Sequence, residues 1–417
     1  MQLNPRHWLL VLHFVTHSAI LALPPDRAPF EPRPTLFVHA AMRLAVFSAK
    51  AHDRRFLDAA NSHAGHQLLY LESRLDRQTA CLARGQAAVS LCVTDRADAA
   101  VLTLLAEGGT RLVTLRSAGY NHVDLAAARR LGLTVTHVPD YSPHAVAEHT
   151  IALLLAVVRR IPHAYTRVRE GNYCVEGLLG FNLHGKTVGL IGAGKIGLIT
   201  GRILRGFGCH VLAYDPHPTD AAREAGFEFA PFNQVLESAD IISLHCPLVP
   251  TTHHLLNRTT LGWLKRGAVL INTSRGGLID QNALVEALES GRLSALGMDV
   301  YEDEVMATQH DHAAHRHPDD PISRLIALPN VLVTGHQGFF TAEALADIAA
   351  STFTAMTDFG AGRACAHTLT SPENSPNTPP PHAPHGSSPA FPLTTNHHQP
   401  NETAANPPTR SPTSPAN

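Results

Sequence analysis

No Cys-x-x-Cys pair occurs in the sequence, and its six cysteines, at positions 81, 92, 174, 209, 246 and 365, follow no regular spacing. That excludes a disulfide framework and a thiolate zinc site as the organising device, and it points to reduced thiols in a cytoplasmic chain. Charge of one sign is equally scarce. With a formal net charge of −2, no global field draws the protein to a polyanion or an anionic membrane, which argues against nucleic-acid and membrane partners. The apolar stretch WLLVLHFVTHSAILAL, from Trp8 to Leu23, is interrupted by His13 and His17, stops at Pro24-Pro25 and is too short for a comfortable membrane span. Repeats at solenoid or propeller periods are also missing.

What is present suits a soluble α/β chain. The 417 residues are enough for two compact domains, with 44% hydrophobic and 16% charged residues. Residues 1–41 read as an N-terminal extension, with the translational start expected at Met42, where MRLAVFSAK opens a strand as a domain would. From Ser371 to Asn417 the chain is rich in Pro, Ser, Thr, Asn and His and buries too little apolar area to offset its ordering entropy, so a disordered tail is expected.

Between these ends, short Val-, Ile- and Leu-rich segments alternate with helical ones, the pattern of parallel sheets covered by helices. The predicted strands are Leu44–Phe47, Val89–Val93, Leu112–Leu115, Thr134–His137, Thr187–Ile191, His210–Tyr214, Ile241–His245, Ala268–Asn272, Ala295–Asp299 and Val331–Thr334. Most lack polar alternation, which implies burial on both faces. The clearest predicted helices are His144–Arg169 and Gln281–Ser290.

The segment KTVGLIGAGKIG places Gly192, Gly194 and Gly197 after a strand and at the opening of a helix, and Asp215 ends the next strand 18 residues after Gly197. In that context Gly192 serves the tight turn, Gly194 the approach of a pyrophosphate and Gly197 close helix packing. The amides of Lys195 and Ile196 then face phosphate at the positive end of the helix. A carboxylate at Asp215 accepts from a ribose 2′-hydroxyl and repels a 2′-phosphate, so NAD is the expected cofactor.

Open α/β sheets bind ligands at the carboxyl ends of their strands. Three charged or titratable residues arrive at that edge: Arg275 after VLINTS, Asp299 at the end of ALGMD, and His336 after VLVTG. Glu304 follows Asp299 by five residues. A carboxylate beside an imidazole favours the protonated ring, as a proton donor requires. The planar fork of arginine matches a carboxylate in two hydrogen bonds. Together with a nicotinamide, these groups fit reduction of a 2-oxo acid.

At LRSAGYNHVDL, VPDYSPHAVAEHT, GKTVGLIGAGKIG, ISLHCPL, INTSRGGLID, GMDVYEDE and TGHQGFFTAEAL the chain resembles the D-isomer-specific 2-hydroxyacid dehydrogenase family, and within it the bacterial fermentative D-lactate dehydrogenases. Gly335, where many relatives acting on larger or phosphorylated acids have proline before the histidine, strengthens the narrower likeness. The resemblance implies two Rossmann-like lobes with the site in the cleft between them. The substrate lobe, flavodoxin-like, would comprise 42–141 and 338–370; the NAD-binding doubly wound parallel sheet would comprise 142–337. It further implies Arg275 as the substrate-binding arginine, Glu304 as the histidine's partner and His336 as the proton donor.

Cys246 and Pro247 would form the loop under the cofactor. Thr252 belongs with them, at a position where close relatives often have asparagine. Thr273 and Ser274 would approach the cofactor through the backbone, and Asp299 would hold the nicotinamide carboxamide. Ala118 and Gly119 would offer amides to the substrate carboxylate, with Tyr141 lining the pocket. A homodimer or homotetramer through the cofactor lobe is implied, with the long helix after Pro143 contributing.

The activity implied is pyruvate reduction to D-lactate. Alternatives are a bulkier 2-oxo acid, an NADH-sensing interaction protein on the same scaffold, as the C-terminal binding protein corepressors are, and a metal-dependent hydrolase. The last would use His310, His312, His315 and His317 of the loop Val305–Asp320. That stretch, bounded by Pro and Asp, reads as a solvated surface loop, so no metal is expected.

Overall fold

A computed structural model describes residues 41–139, 141–302 and 320–371. The chain divides into Met1–His39, outside the described residues, and Ala40–Asn417. Glu304, the histidine-rich loop, the N-terminal extension and all but the first residue of the Pro-rich tail lie outside the described residues.

Among the described residues, twelve strands form two wholly parallel sheets. The first contains β1 (Arg43–Val46), β2 (Gln67–Tyr70), β3 (Ala88–Leu91), β4 (Leu112–Leu115) and β5 (Thr134–Thr136), in the order β2-β1-β3-β4-β5. This is the flavodoxin-like order, whose switch point falls between β1 and β3. The second contains β6 (Thr187–Ile191), β7 (His210–Tyr214), β8 (Glu228–Phe229), β9 (Ile241–Leu244), β10 (Ala268–Asn272), β11 (Leu293–Met298) and β12 (Val331–Val333), in the order β12-β11-β10-β9-β6-β7-β8. Its order reverses between β6 and β9, so a crevice opens beyond their carboxyl ends.

Every residue of β3, β4, β9 and β10 is buried, as continuous apolar runs covered on both faces require. The helix Pro143–Val158 covers the second sheet: Ile151, Leu153 and Leu154 pack with Val188, Leu190 and Ile271. Near the end of the chain, the helix Ala342–Gly360 returns to the first sheet, where Ala349, Phe353 and Met356 pack with Leu44, Val46 and Leu57.

The predicted strands all occur, with ends trimmed by one or two residues at several; Leu293 and Ser294 extend β11 at its start. Two edge strands, β2 and β8, escape prediction. Gln67–Tyr70 alternates between exposed and half-buried positions, and β8 has only two residues, so neither carries the apolar run of a central strand. The single helix expected over His144–Arg169 is instead two, Pro143–Val158 and Ile161–Arg169. Proline at 162 cannot donate an intrahelical bond and suits the first turn of a new helix, while Arg160 takes a left-handed φ of 53° to restart the chain.

Candidate active site

Most of the expected residues follow strand ends. β4 runs into Ser117-Ala118-Gly119, β6 into Gly192, β9 into His245-Cys246, β10 into Thr273-Ser274-Arg275, β11 into Asp299 and β12 into Thr334-Gly335-His336.

The glycine turn is dictated sterically. Gly192 has φ 99°, and a Cβ there would lie 2.7 Å from the backbone of His245 and Cys246. A Cβ at Gly197 would strike the Gly192 carbonyl. Gly194 is different, because nothing lies within 4 Å of the Cβ it lacks. The chain's own packing does not demand glycine at 194, which faces open space above the turn. Gly194 also opens the helix Lys195–Gly206 without a side-chain cap, leaving its first amides directed at that space. Asp215 braces the turn, one oxygen accepting from the Ala193 amide at 2.7 Å and the other from the His217 amide at 2.8 Å.

Two cavities meet here. One, of about 530 Å³, is lined on its walls by Gly192, Tyr214, Asp215, Cys246, Pro247 and Thr252. The other, of about 250 Å³, includes Ala118, Tyr141, Lys195, Ser274, Arg275 and His336. Gly194 and His245 line both, as the switch point between β6 and β9 dictates. The pair runs from Asp215 in the larger cavity to Arg275 and His336 in the smaller. Thr273, Ile196 and Asp299 also line the smaller cavity, while Gly119 and Gly197 line neither.

The loop under the larger cavity is shaped from within. Thr252 donates its hydroxyl to the Pro247 carbonyl at 2.7 Å and accepts from the Val249 amide at 2.9 Å. Ser274 Oγ donates to the Cys246 carbonyl at 2.7 Å, and the Thr273 and Thr150 hydroxyls meet at 2.7 Å. Burial pushes the Cys246 thiol up to about 12, so it is not an ionised nucleophile at neutral pH.

Arg275 joins the two sheets. Its backbone turn is held against Tyr301 and Glu302, which a Cβ at Gly276 would overlap, and its guanidinium lies against Gly119, where a Cβ would overlap it as well. Tyr141 approaches from the same side. Burial raises its phenol above the ordinary range; Arg275 and a hydrogen bond from the Ala118 backbone oppose that rise without cancelling it. The phenol is therefore neutral.

His336 sits at a left-handed φ of 53°, a conformation that costs a non-glycine residue on the order of 1 kcal/mol or more unless its surroundings impose it. Asp299, 2% exposed, imposes it. The Asp299 carbonyl accepts from the His336 amide at 2.8 Å. Its carboxylate accepts from the Gln337 amide at 2.9 Å, the Gly338 amide at 2.7 Å and the Thr334 hydroxyl. His149, on the helix Pro143–Val158, reaches the same carboxylate at 3.3 Å and Thr334 Oγ1 at 3.1 Å. Burial alone would raise the Asp299 carboxyl, but hydrogen bonds from His149, Thr334, Gln337 and Gly338 outweigh it and hold the group below the usual carboxylate range. A carboxylate has about four lone-pair directions. Four donors converge on this one, so Asp299 is first the clamp of the turn that presents His336.

Three histidines were not singled out from the sequence. His245 lies between the cavities; packing lowers its imidazole to about 4, and its Nε2 pairs with Ser243 Oγ at 2.9 Å. His122 is lowered to about 4 by burial and then by the neighbouring Arg275. His149 is the clamp's outer member. The strand-end rule could have found His245, one position before Cys246; no local signal marks the other two.

Residues 151–338 match the model of the D-isomer specific 2-hydroxyacid dehydrogenase NAD-binding domain. A 2-hydroxyacid dehydrogenase homolog of Zymomonas mobilis is 47% identical over 77% of this chain and 98% of its own length. The apo structure of D-lactate dehydrogenase from Escherichia coli, 44% identical, superposes with a TM-score of 0.72 over 79% of this chain and all of that one. The pyruvate reductase of Chlamydomonas reinhardtii, 41% identical, has a TM-score of 0.75 over 79% of this chain and 99% of its own. Identities of this size across nearly the whole of each relative agree with the two sheet orders and the paired cavities, and the chain belongs to the D-isomer specific 2-hydroxyacid dehydrogenase family.

Proposed function

We propose that the protein is an NAD-dependent D-lactate dehydrogenase that interconverts pyruvate and (R)-lactate. The observation that carries this reading is the convergence of Arg275, His336 and Tyr141 on one cavity of about 250 Å³ that continues into the dinucleotide cavity. Bound NADH supplies hydride to the carbonyl carbon. Arg275 holds the substrate carboxylate in a forked pair of hydrogen bonds beside Ala118 and Gly119. His336 donates the proton to the carbonyl oxygen, with Glu304 as its partner. Asp299 can meet the nicotinamide carboxamide only by exchanging one of its four donors.

Residues 42–141 and 338–370 are taken as the substrate lobe and 142–337 as the NAD lobe, which the packing of the helix Ala342–Gly360 against β1 supports. A small substrate is favoured because Tyr141 and Phe339, whose ring centroids lie 5.9 Å apart, narrow the cavity beside His336.

NADH oxidation followed with pyruvate, 2-oxoisocaproate and phenylpyruvate in parallel should give the highest kcat/KM for pyruvate. A preference for either larger acid would replace lactate with a bulkier product, and bound NADH with no turnover on any of the three would end the dehydrogenase reading. Asp215→Asn keeps an acceptor but removes the charge that repels a 2′-phosphate. It should narrow the NADH-over-NADPH preference measured by fluorescence titration; an unchanged ratio would remove Asp215 from cofactor selection.

A homodimer or homotetramer is part of the same proposal. The helix Ile161–Arg169 buries none of its residues, and Tyr173 and Leu179 beyond it are 77% and 92% exposed. An apolar surface of this kind fits a second copy of the chain. Analytical ultracentrifugation should show an assembly that Leu179→Asp shifts toward monomer; a monomeric parent would refute it.

Among the described residues no helix is long and apolar enough to cross a membrane. The six unpaired cysteines support placement in the cytoplasm, which cell fractionation tests.

A further inference from the structure

The four histidines of the 305–320 loop lie outside the described residues, but the fold assembles a different cluster that no run of sequence announces. His253 and His254 are adjacent, with rings stacked at 3.9 Å between centroids and 24° between planes. Both present Nε2 to the carboxylate of Glu302, His254 at 3.0 Å and His253 at 3.6 Å. The three ligand atoms all lie within 4.8 Å of one another.

We propose that His253, His254 and Glu302 form a binding site for a divalent transition metal, Zn²⁺ in the first instance, that ties the cofactor loop to the turn carrying Arg275.

The donor set suits zinc. Two neutral imidazoles and a carboxylate are a common three-ligand set, with a water completing the tetrahedron. Bonds of about 2.1 Å in a tetrahedron separate ligand atoms by about 3.4 Å. The two imidazole–carboxylate distances, 3.0 and 3.6 Å, bracket that value, and the stacked rings turn apart on binding so that both Nε2 lone pairs meet one ion. An ordinary ion pair needs only one imidazole and gives no reason to stack a second against it. A cation gives both rings one partner, to which each binds as a neutral donor. Imidazole selects zinc, copper or nickel over magnesium and calcium, which prefer all-oxygen sites.

The backbone is built around this cluster. His254 is held at a left-handed φ of 49°, its amide donating to the Gly277 carbonyl at 2.9 Å and its carbonyl accepting from Asn257 Nδ2 at 3.1 Å. The Glu302 carbonyl accepts from Gln281 Nε2 at 3.1 Å, and its amide nitrogen packs where a Gly276 side chain would stand. A metal here links three pieces: the loop whose Thr251, Thr252 and Leu255 line the larger cavity, the turn Gly276–Leu278 directly after Arg275, and the chain leaving β11. His253 and His254 themselves line neither cavity.

The test uses the untagged full chain, stripped with chelator and titrated with Zn²⁺ or Mg²⁺, with metal content and thermal midpoint both measured. Zn²⁺ should bind at one equivalent with a rise in midpoint, because a ligand that binds only the folded state stabilises it; Mg²⁺ should not produce that rise. His253→Asn, at a half-exposed position outside the dehydrogenase machinery, should retain metal-free turnover and weaken Zn²⁺ by about tenfold or more, since even residues that merely orient ligands matter on that scale. A companion variant with His310, His312, His315 and His317 all replaced by Ala should retain the tight equivalent. The proposal is overturned if Zn²⁺ gives no midpoint rise, if Mg²⁺ matches it, if His253→Asn binds Zn²⁺ as the parent does, or if the four-histidine variant alone loses it.

Discussion

His336→Asn should lower kcat for pyruvate reduction by about 10²- to 10⁴-fold, the range supplied by a positioned general acid, while NADH binding measured by fluorescence stays near the parent value. Asparagine is the informative replacement because position 336 is held at φ 53°. Among non-glycine residues Asn tolerates the left-handed region well, so the turn from Thr334 to Gly338 keeps its Asp299 clamp and only the proton donor is lost. His336→Ala removes the same donor but adds backbone strain; agreement between the two variants in kcat, with different melting points, would separate chemistry from folding. Loss confined to KM would show that the imidazole binds substrate rather than donating a proton. A variant within a few-fold of the parent in both constants would remove His336 from the mechanism.

Arg275→Lys should raise KM for pyruvate by roughly ten- to 150-fold, the equivalent of one charge-assisted hydrogen bond of about 1.5–3 kcal/mol, although the positive charge is retained. The reason is shape. The guanidinium is planar, lies against Gly119 and is oriented by a 2.7 Å bond from Nη1 to the Ser274 carbonyl. A single ammonium nitrogen, with a shorter reach, cannot make both the anchor and the fork. The effect should fall on KM more than on kcat if the carboxylate is held equally in the ground and transition states, and NADH affinity should be unchanged. A lysine variant with the parent KM would mean that charge alone recruits the substrate and that the forked geometry has no part.

The course of the chain was legible wherever one segment carries its own signal. Gly192, Gly194 and Gly197 sit between an apolar strand and an amphipathic helix, and steric contact explains the first and third while open space explains the second. The buried central strands announce themselves as unbroken apolar runs. The edge strands do not, because one is half exposed and the other has two residues. The helix break at Arg160 was available in principle from Pro162, yet a continuous apolar periodicity across it masks the restart.

The site divides along the same line. Local sequence put Arg275, Asp299 and His336 at the carboxyl ends of strands, which in a parallel sheet share one edge. Sequence could not determine what Asp299 does there. Its partners His149 and Gly338 lie 150 and 39 positions from it along the chain; the docking of the helix Pro143–Val158 on the sheet brings the first to the carboxylate, and the pairing of β12 with β11 brings the second. The meeting of His253 and His254 with Glu302, nearly fifty residues away, is equally a product of folding, since hydrogen bonding and metal ligation depend on distances of a few ångströms that the linear spacing of residues does not encode.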